Sequence, residues 1–105
     1  GPGRPPELRH GRVTLDPASR RVAMDDEPVE LTPREIALLE VFLERPGELI
    51  TRTVLLERVW DDRYDGLSNV VDVYVGRLRR KLGSTRHPWP LRTVRGAGYA
   101  LDPDG

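Results

Sequence analysis

What is missing from this sequence narrows its chemistry first. There is no cysteine, so disulfides, thiol nucleophiles and Cys-ligated zinc are excluded, in keeping with a reducing interior. No stretch approaches the ~20 apolar residues that span a bilayer, and no secretory leader is visible. Internal repeats and low-complexity tracts are absent. The two histidines, His10 and His87, lie far apart in the sequence. Neither has a nearby Ser, Cys or paired acid of the kind that builds a catalytic triad, so both are expected at the surface and no enzyme is indicated. At 105 residues the chain is one domain, or the separable part of a longer protein, with a thin core.

Net charge is absent too, with 17 Lys and Arg against 17 Asp and Glu, but the distribution is uneven. Residues 68–99 hold seven cations (Arg77, Arg79, Arg80, Lys81, Arg86, Arg92 and Arg95) against one anion, Asp72. The remainder holds ten cations and sixteen anions. A neutral chain with one basic third has the electrostatic footprint of a polyanion binder. Ordinary solvated surface charge is the alternative that asymmetry alone leaves open.

The first thirty residues alternate apolar and polar side chains. Val13 and Leu15, then Val22 and Met24, then Val29 and Leu31 mark short strands. Turn signals at 16–19 and at Asp25-Asp26 separate them, which predicts a small antiparallel sheet with one covered face. A helix then starts at "LTPREIALLEVFLERPG". Thr32 is its N-cap, Pro33 suits the first helical position, Glu35 completes a capping box, and Leu31 and Ile36 hold hydrophobic-staple positions. Ile36, Leu38, Leu39, Phe42 and Leu43 form its core stripe, with Glu40 and Glu44 off it, and Pro46-Gly47 ends it. "ITRTVLLERVW" predicts a second helix capped by Thr51, with Leu55, Leu56 and Val59 inward. Ser68 caps a third, which Gly83 closes at a C′ position. "LRTVRGAGYAL" predicts a hairpin with Gly96-Ala97-Gly98 at its tip.

The third helix, "NVVDVYVGRLRRKLG", carries four valines and a mid-run glycine, Gly76, all poor helix formers. At ~100° per residue, Val71, Val75, Leu78 and Leu82 fall on one ridge that must be buried. Opposite lie Asn69, Val73, Gly76 and Arg80, flanked by Arg77 and Asp72. A face meant only for water would favour long polar helix formers throughout. A bare Val73 and a Gly76 suit close approach of another surface. A B-DNA major groove admits a helix, offers thymine methyls to apolar groups and lets Arg pair with guanine.

Three segments together resemble one family. "LTPREIALLEVFLERPGELITRTVLLERVW", "SNVVDVYVGRLRRKLG" and "LRTVRGAGYAL" are similar to the OmpR/PhoB-type winged-helix DNA-binding domain of bacterial two-component response regulators, over residues 8–102. The resemblance implies an α+β winged helix-turn-helix: a four-stranded N-terminal antiparallel sheet, a three-helix body and a C-terminal hairpin wing. It implies sequence-specific double-stranded DNA binding in transcription control, with the third helix in the major groove and the wing in the minor groove. Val73, Arg77 and Arg95 then correspond to base-contacting positions. Arg52, Trp60, Asn69, Tyr74, Gly76, Arg79, Arg80, Thr93 and Tyr99 correspond to contacts with the DNA backbone. Gly76 and Asn69 stand where members often carry cations, and Asp26 where a turn glycine is common.

The segment Asp61, Asp62, Arg63, Tyr64, Asp65, Gly66 and Leu67 resembles the loop through which the family touches RNA polymerase; a plain solvated connector is the alternative. A calcium loop over residues 61–72 is rejected, because Arg63 sits where a carboxylate ligand belongs and Asp72 replaces the bidentate Glu. No metal or cofactor is expected. The resemblance further implies a sensor histidine kinase acting through a receiver domain absent from this chain. It also implies direct-repeat half-sites, weak or DNA-induced homodimerisation and a cytoplasmic location. Residues 1–7 are expected to be a tag remnant or linker, 8–102 the domain and 103–105 a tail. Trp89, between two prolines, is expected to pack over the end of the third helix. A winged-helix protein-interaction module without DNA specificity is the rival reading.

Overall fold

The computed structural model describes residues 7–60 and 69–104. Four strands, β1 (Leu8–His10), β2 (Val13–Asp16), β3 (Arg21–Met24) and β4 (Glu27–Val29), form an antiparallel meander in chain order. Its register places Leu8 opposite Leu15, Leu15 opposite Val22, and Val22 opposite Val29. One row of apolar side chains therefore crosses the whole sheet and faces the core. The β3–β4 turn is Asp25-Asp26, both left-handed at φ 53° and 66°. That is the geometry of a two-residue type I′ hairpin, which matches the twist of the strands. Asp enters this region more readily than most residues, and Arg12 Nε donates to Asp25 Oδ2 at 2.6 Å. The β2–β3 turn runs one residue further than expected, because Arg20 is also left-handed, at φ 62°.

Helix α1 (Pro33–Glu44) has the capping box that its sequence predicts, with Thr32 and Glu35 bonded reciprocally. Its stripe is the centre of the core: Leu38, Leu39 and Phe42 have no exposed surface. The chain then makes a two-residue strand, β5 (Ile50–Thr51), that sequence patterning does not reveal. Thr51 caps α2 (Arg52–Leu55), which widens into a π-helical stretch over Leu56–Trp60. Residues 61–68, including the expected Ser68 cap and the polymerase-loop segment, lie outside the described residues.

Helix α3 (Asn69–Leu82) buries Val71, Val75 and Leu78 completely and Leu82 to 2% exposure. Burying four such side chains favours this orientation by roughly 6–12 kcal/mol in gross terms. That far exceeds the ~1 kcal/mol helix cost of Gly76, so the ridge decides which face α3 turns outward.

Three expectations are corrected here. Gly83 is not a left-handed C′ residue, because its φ is not positive. It is needed because a Cβ there would meet the Trp89 backbone nitrogen at 2.5 Å. The hairpin of β6 (Leu91–Val94) and β7 (Gly98–Leu101) turns through Arg95-Gly96-Ala97, and Gly98 belongs to the strand, opposite Val94 and Thr51. His10 is buried at 7% exposure, with its Nε2 at 2.5 Å from the Asp102 carbonyl oxygen. β7 lies between β5 and β6 in a second, three-stranded sheet. Trp89 passes its backbone close to Gly83 just beyond α3, but its ring packs on α1, edge-on to Phe42 at 6.1 Å between ring centroids, and Tyr99 meets the same ring at 6.5 Å.

Candidate nucleic-acid interface

With its ridge buried, α3 turns Asn69, Val73, Arg77 and Arg80 outward, all exposed. Val73 is 47% exposed, a bare apolar side chain on a cationic face. Gly76 is half-buried, and a Cβ placed there would meet only Arg80 Nη1, at an ordinary 3.7 Å. Nothing within the described fold demands a glycine at that position.

The cations on this side are not equally free. Arg77 lies over the Tyr74 ring, 4.6 Å from its centroid. Tyr74 in turn meets Trp60 edge-on at 5.1 Å, and Arg34 stands over Trp60 at 5.7 Å. Arg34 also donates to the Val59 carbonyl. Trp60 itself is buried at 3% exposure, so its main visible role is to back Tyr74 and hence Arg77.

Arg79 leans the other way. Its Nη2 donates to the Leu91 carbonyl at 2.8 Å and to Thr93 Oγ1 at 2.9 Å. This fork ties α3 to the outer strand of the wing. Thr93 is exposed, while Tyr99 on β7 is buried at 3% exposure. The Tyr99 hydroxyl donates to Asp72 Oδ1, and Arg52 Nε reaches the same oxygen at 3.0 Å. Arg52 and Arg79 stand over the Tyr99 ring at 5.2 and 5.6 Å. Burial pushes the Tyr99 hydroxyl pKa up, and Asp72 adds to the rise through its hydrogen bond and its charge, so the group is held as a donor. The hydrogen bond to Asp72 likewise raises the Arg52 pKa.

Arg80 on α3 and Arg95 in the wing turn are exposed, and neither makes a hydrogen bond or ion pair among the described residues. The fold therefore joins α3 and the wing through Asp72–Tyr99 and Arg79–Thr93, and it leaves cations free on both elements. Asp72 and Arg34 carry structural roles that motif matching did not assign. The signal for Asp72 was visible, since it is the one anion within residues 68–99. Among the described residues no cluster of His, Cys, Asp or Glu could hold a metal, and no helix is long and apolar enough to cross a membrane.

The family model for the C-terminal domain of transcriptional regulatory proteins matches residues 26–101. The transcriptional regulatory protein TcrA of Mycobacterium tuberculosis is 46% identical over 102 residues, covering 97% of this chain and 40% of TcrA. The RstA DNA-binding domain of Klebsiella pneumoniae, solved in complex with the RstA box, superposes with a TM-score of 0.81 at 33% identity, covering 92% of this chain and 97% of that one. The DNA-binding domain of CpxR from E. coli gives a TM-score of 0.84 at 29% identity, covering 96% and 100%. The chain spans about two fifths of the length of the curated relatives it matches.

Proposed function

We propose a function that proceeds from a premise now in place: this chain belongs to the family of C-terminal domains of transcriptional regulatory proteins, of the OmpR/PhoB response-regulator type. It binds double-stranded DNA with sequence preference and serves as the effector domain of a response regulator. One observation carries the detail. Opposite a fully buried ridge, α3 exposes Val73, Arg77 and Arg80 beside a wing that ends in Arg95. A helix of this kind fits the ~12 Å major groove, where Val73 can meet a thymine methyl and Arg77 a guanine edge. Arg95 then reaches the neighbouring minor groove.

The phosphate contacts divide by freedom. Arg80, Asn69 and Thr93 are exposed and available, and Gly76 lets backbone approach. Arg52 keeps its terminal nitrogens for phosphate while Nε holds Asp72. Tyr74 stands behind Arg77, while Trp60, Arg79 and Tyr99 serve mainly to hold the reading surface in shape. Contacts to the backbone set register and those in the groove set sequence.

For the whole protein we extend this reading to a receiver domain addressed by a sensor histidine kinase and to a cytoplasmic location. It also includes a weak or DNA-induced homodimer on direct-repeat half-sites and an RNA polymerase contact through residues 61–67. Selection of bound duplexes from a random pool tests the core of the proposal. Recovery of direct repeats about one helical turn apart is expected, with affinity falling steeply as salt rises. No duplex preference and a flat salt response would instead identify a protein-interaction module.

A further inference from the structure

We propose that Asp72 is a positioning residue for DNA recognition: its Oδ1 gathers Arg52 from α2 and Tyr99 from β7 onto the first turn of α3, and so sets the wing against the helix that enters the groove. The inference rests on the DNA-binding reading and goes beyond it, since it gives a role to an anion on a surface otherwise suited to a polyanion. A carboxylate here repels phosphate, and the Asp72 side chain is 43% exposed. Its placement therefore needs an offset.

The geometry supplies one. Arg52 and Arg79 approach the same Tyr99 ring, at 5.2 and 5.6 Å, and Asp72 provides the counter-charge beside them. Arg79 grips β6 through Leu91 and Thr93. Three elements, α2, α3 and the wing, are thus joined around one aromatic ring with Asp72 as the shared acceptor. Without it, the Tyr99 hydroxyl loses its partner and Arg52 its anchor, and the wing is free to change its angle to α3.

The test compares Asp72→Ala, Asp72→Asn and Tyr99→Phe with the unaltered chain. Each is titrated with a pool-selected duplex and a scrambled one at several salt concentrations. Asp72→Ala should weaken selected-duplex binding about tenfold, as expected for losing charge-assisted bonds, and change scrambled binding little. Asp72→Asn keeps an Oδ1 acceptor for both donors and should stay within about threefold of the original. Tyr99→Phe should reproduce part of the Ala loss with no change of charge, because Arg52 keeps its bond to Asp72. The Asp72→Ala/Tyr99→Phe double variant should bind no worse than Asp72→Ala alone, because the bond that Tyr99→Phe removes is already lost in Asp72→Ala.

Tighter binding to both duplexes by both Asp72 variants would overturn the inference, leaving only a repulsive charge. An equal loss on both duplexes for Asp72→Ala, in step with its thermal stability, would overturn it in favour of a purely structural role. An unaltered chain with no duplex preference overturns the DNA-binding reading itself, and this inference with it.

Discussion

Lys81 Nζ stands 2.8 Å from Glu35 Oε1, so the last turn of α3 is pinned to the first turn of α1. Glu35 is 1% exposed, and the same oxygen accepts the Thr32 N–H of the capping box at 2.8 Å. Burial pushes its pKa up, but the Lys81 and Thr32 hydrogen bonds and the Lys81 charge outweigh this and bring it below the usual carboxylate value.

A lowered folded pKa means that Glu35 contributes stability above the unfolded value of about 4.3 and loses it as pH falls through the folded value. Glu35→Gln is therefore expected to destabilise by about 1 kcal/mol at pH 7. The gap to the unaltered chain should narrow once the pH falls below the unfolded value and close as it passes the lower folded one. Urea titrations across that range measure it.

Gly76→Ala should have opposite effects on folding and binding. A Cβ fits without conflict, so the helix gains about 1 kcal/mol and the melting temperature rises by roughly 4–8 °C. If the Gly76 backbone meets DNA, duplex affinity falls in the same variant. Melting curves and duplex titrations on one sample read both.

Arg77 and Arg80 should separate by kind of loss. Arg77→Ala is expected to relax preference at one base pair by about 1–3 kcal/mol. Arg80→Ala should weaken all duplexes alike and make the salt dependence shallower by about 0.9 in slope. Arg79 is the poorer test of phosphate contact, because its removal also frees the wing from α3.

Gly98→Ala should damage the wing from within. An added Cβ would overlap the Ile50 carbonyl oxygen and the Thr51 Cα of the adjacent strand. A loss of about 1–3 kcal/mol is expected, with selected-duplex binding lost out of proportion to helix content. Circular dichroism and duplex titration of the variant distinguish the two.

What was legible in the sequence was local or periodic. Thr32, Pro33 and Glu35 announce the start of α1 within four residues, because capping is short-range chemistry. Val71, Val75, Leu78 and Leu82 announce the buried ridge of α3 through spacing alone. What was not legible depends on partners distant in the chain. Strand β5 exists because β7 lies beside it, and two residues carry no period of their own. Arg79 reads as one more phosphate cation until Leu91 and Thr93 are placed next to it. Tyr99 matches a DNA-contacting position, yet its hydroxyl already donates to Asp72. The sequence marks Gly83 as special, but its reason, the crossing backbone of Trp89, is tertiary.

The pairing of Ile50 and Thr51 with Tyr99 and Gly98 also sets an order of events during synthesis. At about 5–20 residues per second, the partners of β5 leave the ribosome roughly 2–10 s after it does. Until then the wing has no seat, and the helices can pack without presenting a finished surface to a promoter. A prematurely terminated product that ends before Gly98 keeps its basic helix but not the strand that holds the wing. Completion of the reading surface is thereby tied to synthesis of β7 rather than to that of the basic helix that precedes it.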